Sequence, residues 1–160
     1  MYKRISVKMI VINAMIASVY ATLTLAISPI AYSEVQLRLS EIMVFLAFYN
    51  KKYIPGLVIG CIIANFFSPL GLIDVIFGTA STLIVCIAMY KIKNNYLAAI
   101  IGAIITGLII GGELCYAYQI PFLINAIYVA IGEVIVLIIG AVIFKSFEKN
   151  DRLMNLLDLK

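Results

Sequence analysis

Apolar residues run along this chain in long blocks, broken by short turns rich in proline, glycine, tyrosine or charge. They do not alternate with the period of a half-buried strand, and no polar stripe runs the length of a block. A bilayer core asks for about 20 apolar residues per helix, within a range of about 17–25. Six blocks fit or nearly fit that length: 7–27, 37–49, 53–67, 71–90, 96–112 and 121–144. The second is short and reads as a helix continued from a structured loop. Residues 146–160 mix charge with Leu153, Leu156, Leu157 and Leu159, the pattern of a short amphipathic helix on a membrane surface. The expectation is an all-α integral membrane protein of six transmembrane helices, one domain over 1–145, with an amphipathic tail.

Composition agrees and identifies the solvent. Of 160 residues 64% are hydrophobic and 12% charged, with a mean hydropathy of +1.12. Soluble domains are about 45–50% apolar and about 25% charged. So small a chain cannot hide that much apolar surface from water, so its surroundings are lipid. Lys3, Arg4 and Lys8 resemble the start of a cleaved leader. The apolar stretch after them exceeds the usual leader core of about 7–15 residues, which favours a retained first span.

Charge then orients the spans. With six crossings, the N-terminus, the second and fourth loops and the C-terminus share one side. That side holds eleven of the twelve basic residues, all but Arg38. By the positive-inside rule it is cytoplasmic, so both termini lie inside a cell membrane. The first, third and fifth loops face out.

The acids are distributed the opposite way. Glu148, Asp151 and Asp158 belong to the tail and read as solvated charge. Glu34 falls in the first outer loop, Glu41 about one turn inside the second span and Asp74 just inside the fourth. Glu113 stands at the outer end of the fifth span and Glu133 about three turns into the sixth. A charged side chain at the bilayer centre costs roughly 2.5–3.5 kcal/mol on insertion scales. Several such costs in one leaflet imply a shared wet or ligand-filled cavity. Glu34 also fits an ordinary loop acid, and Arg38 with Glu41, three apart, also fits a structural ion pair. Asp74 and Glu113 are cheap if they stand at the boundary; Glu133, among Ile131, Val134 and Ile135, is the least explicable as structure. Asn65 and Asn125 point toward the same zone or make interhelical hydrogen bonds, the role expected of Asn13. Outer aromatics, including Tyr32, Tyr116, Tyr118 and Phe122, form an interfacial belt or stack on a flat ring. Excess acid, one arginine and aromatics suit a planar, donor-rich heterocycle or a small cation, and suit an anion poorly.

Small residues mark helix contacts. Gly56 with Gly60, and Gly107 with Gly111, have G-x-x-x-G spacing; Ala17 and Ala21 have A-x-x-x-A spacing. Packing within the monomer is the default reading. Cys61, Cys86 and Cys115 are scattered and read as small helix residues, neither a disulfide frame nor a metal site. There is no histidine, no phosphate-binding G-x-x-x-x-G-K-[ST] loop and no hydrolase motif. Neither catalytic residues, a cofactor, a metal nor a nucleic-acid partner is expected.

Four stretches together resemble a known family: EVQLRLSE at 34–41, GLVIGCIIAN at 56–65, GLIDVIFGTASTL at 71–83 and IGE at 131–133. They are similar to the QueT family, the queuosine-precursor S components of energy-coupling factor (ECF) transporters. The resemblance implies a six-helix substrate-binding subunit that captures a deazaguanine base or queuine near the outer face. It implies a transmembrane coupling subunit and two cytoplasmic ATPases as partners, with Ala17 and Ala21 as the docking face. Glu34, Arg38, Glu41, Asn65, Asp74, Glu113, Tyr116, Asn125 and Glu133 are the candidate ligand residues. The fifth span and its loop, with Glu113 and Tyr116, match the family pattern least. Rival readings are an S component for another vitamin or heterocycle, a solitary proton-coupled carrier, and a structural membrane subunit.

Overall fold

The computed structural model describes residues 7–33 and 36–156, and every regular element among them is helical. Glu34, Lys3, Arg4 and the tail beyond 156 lie outside the described residues. In chain order the α-helices are α1 (Val7–Ala26), α2 (Ser28–Ala31), α3 (Phe45–Tyr49), α4 (Ile54–Asn65), α5 (Leu72–Lys91), α6 (Asn95–Tyr118), α7 (Phe122–Phe147) and α8 (Asp151–Leu156). Two 3₁₀ segments, Leu39–Val44 and Lys51–Tyr53, lead into α3 and α4.

Four of these helices, α1, α5, α6 and α7, are long and apolar enough to cross a membrane. The expected second and third spans are short. The 12 residues of α4 rise about 18 Å, against a hydrocarbon core of about 30 Å. The second opens as a 3₁₀ helix whose narrower first turns bury Ser40 and Glu41, with Arg38 buried just before it. The fifth and sixth spans run longer than read, to Tyr118 and Phe147. In the tail, Met154 is buried against the core.

Local chemistry explains the boundaries. The Asn94 side chain accepts from the Tyr96 and Leu97 amides and starts α6. Left-handed Gln119 ends α6, and Pro121 precedes the first turn of α7. Gly71 turns the chain into α5 at φ +56°, a conformation costly for a side chain bearing Cβ.

Lipid gives helices no hydrophobic reason to associate, so close approach and hydrogen bonds must hold them. Both glycine pairs do this within the chain. Cβ atoms on Gly56 and Gly60 would fall within 3.0 Å of Asn13 and Ala17 on α1. On Gly107 and Gly111 they would meet Ala126 and Ala130 of α7 at 2.6–2.8 Å. Asn13 is the interhelical link expected of it: it donates to Lys52 O at 3.0 Å and accepts from Gly56 N at 2.7 Å.

The two ends of the bundle differ in charge. At one end Lys51 lies 5.6 Å from the Tyr90 ring and Lys145 4.9 Å from the Tyr96 ring. Tyr49 there donates to Glu148 and accepts from Asn95. The acids of the spans gather at the other end.

Candidate functional site

The site is built from polar positions at helical spacing on four helices. On α5, Asp74, Gly78, Ser81 and Thr82 fall on one face at i, i+4, i+7 and i+8. On α6 Thr106, Ile110 and Glu113 do the same, on α7 Asn125, Val129 and Glu133, and on α4 Cys61 and Asn65. The 3₁₀ segment and the residue before it add Glu41 and Arg38. Arg38, Glu41, Asn65, Asp74, Glu113, Asn125 and Glu133 are all buried.

Arg38 is the hub. Its extended backbone (φ −91°, ψ 91°) stands just outside the 3₁₀ helix, so it does not share a helical face with Glu41. The expected local Arg38–Glu41 ion pair is not formed; Arg38 Nη2 instead stands 3.9 Å from Asp74 Oδ1. Its Nη1 donates to Asn65 Oδ1 at 3.3 Å and its Nε to Ala31 O at 3.4 Å. The guanidinium lies 5.4 Å from the centre of the Tyr32 ring, in cation–π range. Asn65 donates in turn to Asp74 O at 3.0 Å and Cys61 Sγ at 3.3 Å.

The acids form two tiers. In the outer tier Asp74 accepts from Ser68, and the Glu113 carboxyl lies where it feels the charge of Asp74. In the inner tier Glu41 accepts from Tyr20 and from Thr82, and Glu133 feels the charge of Glu41. Arg38 is within electrostatic reach of all four. When all are ionised, one guanidinium faces four carboxylates.

Hydrogen bonding is correspondingly incomplete. Both oxygens of Glu113, Oε1 of Glu133, Oδ1 of Asp74, Nη2 of Arg38 and the Ser81 hydroxyl are matched to no fixed donor or acceptor, the Glu113 and Asp74 carboxyls meeting only as a pair. Each such group, fully buried, costs about 1–3 kcal/mol, more when charged. Folding alone does not favour six of them together.

Space is arranged around the tiers. Arg38, Glu41, Ser81 and Glu133 line an inner cavity of about 10 Å³, room for about one water. A wider cavity of about 400 Å³ is lined by Tyr32, Ser33, Leu114, Tyr118, Ile120 and Asn125, within the range of small-molecule pockets. Burial raises the Tyr32 phenol above its ordinary range, so it stays a donor, and it bonds Ala64 O at 2.7 Å. Entry of a ring into the inner tier requires the inner cavity to widen.

Not every expected residue joins the cluster. Tyr116 is 70% exposed and lines no part of the wide cavity; Tyr32 and Tyr118 do. Asn125 lines that cavity but bonds Pro121 O, one turn back. Ala17 and Ala21 are buried within the chain, with Gly60 against Ala17. The small residues on the outward face of α1 are Ala14, Ser18, Thr22 and Ala26. Tyr20, Ser68, Gly78, Ser81, Thr82 and Thr106 were not among the expected site residues. The polar spacing from Asp74 along α5 was the signal for three of them.

The family described as QueT transporter matches residues 10–149 of this chain. The queuosine precursor transporter QueT of Lactococcus lactis subsp. cremoris is 36% identical over 156 residues, covering 88% of this chain and 92% of that protein. No solved structure matches.

Proposed function

Because this chain belongs to the QueT transporter family, we propose that it is the substrate-binding subunit of an ATP-driven importer, capturing a queuosine precursor in the two-tier cluster. It is a transporter and not an enzyme, and its apolar helices make it a multi-pass membrane protein. The observation that carries the reading is the convergence of four buried acids on one arginine beside a cavity of about 400 Å³.

The chemistry fits a deazaguanine base or queuine. Such a ring offers a ring N–H and an exocyclic amine side by side, and one carboxylate accepts both with charge-assisted strength. In this reading Glu133 and Glu41 accept the donor edge, Arg38 meets the ring carbonyl, and Asn65 with Asp74 holds Arg38 in place. The surplus of acid disfavours carboxylate vitamins.

The segregation of charge supports six membrane segments in the cell membrane, four long and two short, with the N-terminus inside and the acid-bearing end outside. Tyr116 stands at the outer rim in this topology. As an ECF S component, the chain would work with a transmembrane coupling subunit and two ATPases. Docking asks for a small-residue face turned outward on α1, which fits Ala14, Ser18 and Thr22 better than the buried Ala17 and Ala21.

Two measurements test this. Purified protein should bind a radiolabelled deazaguanine in preference to guanine and to vitamins; preference for a carboxylate vitamin overturns the substrate. Proteoliposomes should take up the base only when the coupling subunit and ATPases are present. Uptake by the chain alone, driven by a proton gradient, would replace this reading with a solitary carrier.

A further inference from the structure

The lipid-facing side of α1 carries a groove that shares no residue with the acid cluster. Ile12, Met15 and Val19 line it from α1, Met43 and Leu46 line it from the first 3₁₀ segment and α3, and Tyr53 lies at its basic end. Its volume is about 260 Å³, and none of these side chains is charged. Met15 is 63% and Val19 48% exposed, so the groove opens to the bilayer rather than to the interior. Lys8, Ile12, Met15 and Val19 are spaced i, i+4, i+7 and i+11, which makes one stripe along α1 with a cation at its end. A second cation is tied to the same end. Asn13 Nδ2 donates to Met9 O at 2.9 Å and to Lys52 O at 3.0 Å, which sets Lys52 beside the first turns of α1. Lys8 and Lys52 are both exposed.

We propose that this groove is a binding site for an anionic phospholipid, with one acyl chain along α1 and the phosphate between Lys8 and Lys52. Two observations select that occupant. The first is girth: Ile12 to Val19 spans about 10 Å of helix, and a partner helix about 10 Å across would fill about 800 Å³ over that length. A groove of about 260 Å³ therefore encloses a hydrocarbon chain and not a helix. The second is charge complementarity. An apolar trough ending in two cations matches an apolar tail with an anionic head, as basic pockets between spans hold anionic headgroups. Met15 and Met43 suit a tail of variable shape, since their side chains adapt. The site is also distinct from the face of Ala14, Ser18 and Thr22, so it stands whatever the acid cluster binds.

The test uses purified full-length protein in detergent micelles, titrated with phosphatidylglycerol or phosphatidylcholine of identical acyl chains and read by native mass spectrometry. At low salt the anionic lipid should bind at least about tenfold more tightly. Lys8→Gln and Lys52→Gln should each weaken it about fivefold, the weight of one lysine at a headgroup. Lys93→Gln, at the same end but in the α5–α6 loop, should change nothing. Met15→Trp, which fills an exposed part of the groove, should weaken both lipids. Equal binding of the two lipids by the unaltered protein overturns the proposal, and that comparison needs no variant. So does a preference that survives both lysine substitutions, or binding that Met15→Trp leaves unchanged. A loss with Lys93→Gln as large as with Lys8→Gln marks diffuse surface charge and overturns it too. In membranes holding the coupling subunit and ATPases, a photo-crosslinking residue at position 15 should capture lipid. Capture of the coupling subunit in its place overturns the lipid assignment and makes the groove a protein interface.

Discussion

Gly78 is the position where one methyl group should do most damage. It lies mid-helix on α5, facing the cluster, and a Cβ there would stand 2.4 Å from Asn65 Nδ2, 3.3 Å from Asn65 Cγ and 3.5 Å from Arg38 Nη1. Asn65 cannot swing aside freely. It is fully buried, donates to Asp74 O and Cys61 Sγ, and accepts from Arg38. Gly78→Ala has one favourable term, about 0.5–1 kcal/mol of helix propensity. Against it stand about 1–3 kcal/mol of overpacking and the strained or broken hydrogen bond from Arg38, worth about 1.5–3 kcal/mol when charged. The unfavourable terms win, by about 1.5–5.5 kcal/mol shared between folding and ligand binding. Gly112→Ala is the matched control, since its Cβ would meet only Phe122 at 3.8 Å, ordinary contact. Thermal unfolding in detergent and equilibrium binding of a deazaguanine base should be measured on both variants. Gly78→Ala should lower the midpoint by several degrees or weaken binding at least tenfold, while Gly112→Ala holds or raises the midpoint. If Gly78→Ala matches Gly112→Ala in both readings, Asn65 is not the rigid link between Arg38 and Asp74 described above.

Other substitutions probe different parts. Glu133→Gln removes a buried charge that lacks a full set of donors and lies near Glu41; thermal stability should hold or rise while base binding falls at least tenfold, and a drop in both would mark Glu133 as structural. Tyr20→Phe deprives Glu41 of its phenol donor and should cost about 1–3 kcal/mol, seen as a lowered unfolding midpoint; an unchanged midpoint would mean that the bond contributes nothing net. Gly111→Val drives a branched side chain into Ala126, where even a Cβ comes within 2.6 Å, and should prevent α6 and α7 from packing, read as loss of a monodisperse peak in size-exclusion chromatography. Ala14→Leu, on the outward face of α1, should leave ligand binding intact and reduce uptake in vesicles containing the coupling subunit and ATPases; unchanged uptake argues against docking there.

Much was legible in the residue order because lipid and water impose one-dimensional rules. Block length and composition announced helices in a membrane, and the G-x-x-x-G spacings announced close contacts that α1–α4 and α6–α7 make. The burial of Glu133 and Asn65 could be read from their apolar neighbours alone, since a buried polar group stands out against such a background. Element lengths were less legible. The third segment is as apolar as the others, and hydropathy does not report that the second begins as a 3₁₀ helix or that the third stops after 12 residues.

Pairing across the bundle was beyond the sequence. Arg38 stands three residues from Glu41, yet its backbone is extended, and the guanidinium turns to Asp74 on another helix. Ala17 and Ala21 have a docking spacing, but the rotation of α1 about its axis buries them and turns Ala14 and Ser18 outward. A helical repeat says which residues share a face; only the neighbouring helices decide which face is covered. The acids themselves, and their segregation from the basic end, were written in the sequence. That they form two tiers about one arginine, with Glu113 set against Asp74, follows from tertiary packing, because distances between helices depend on contacts that sequence spacing does not encode.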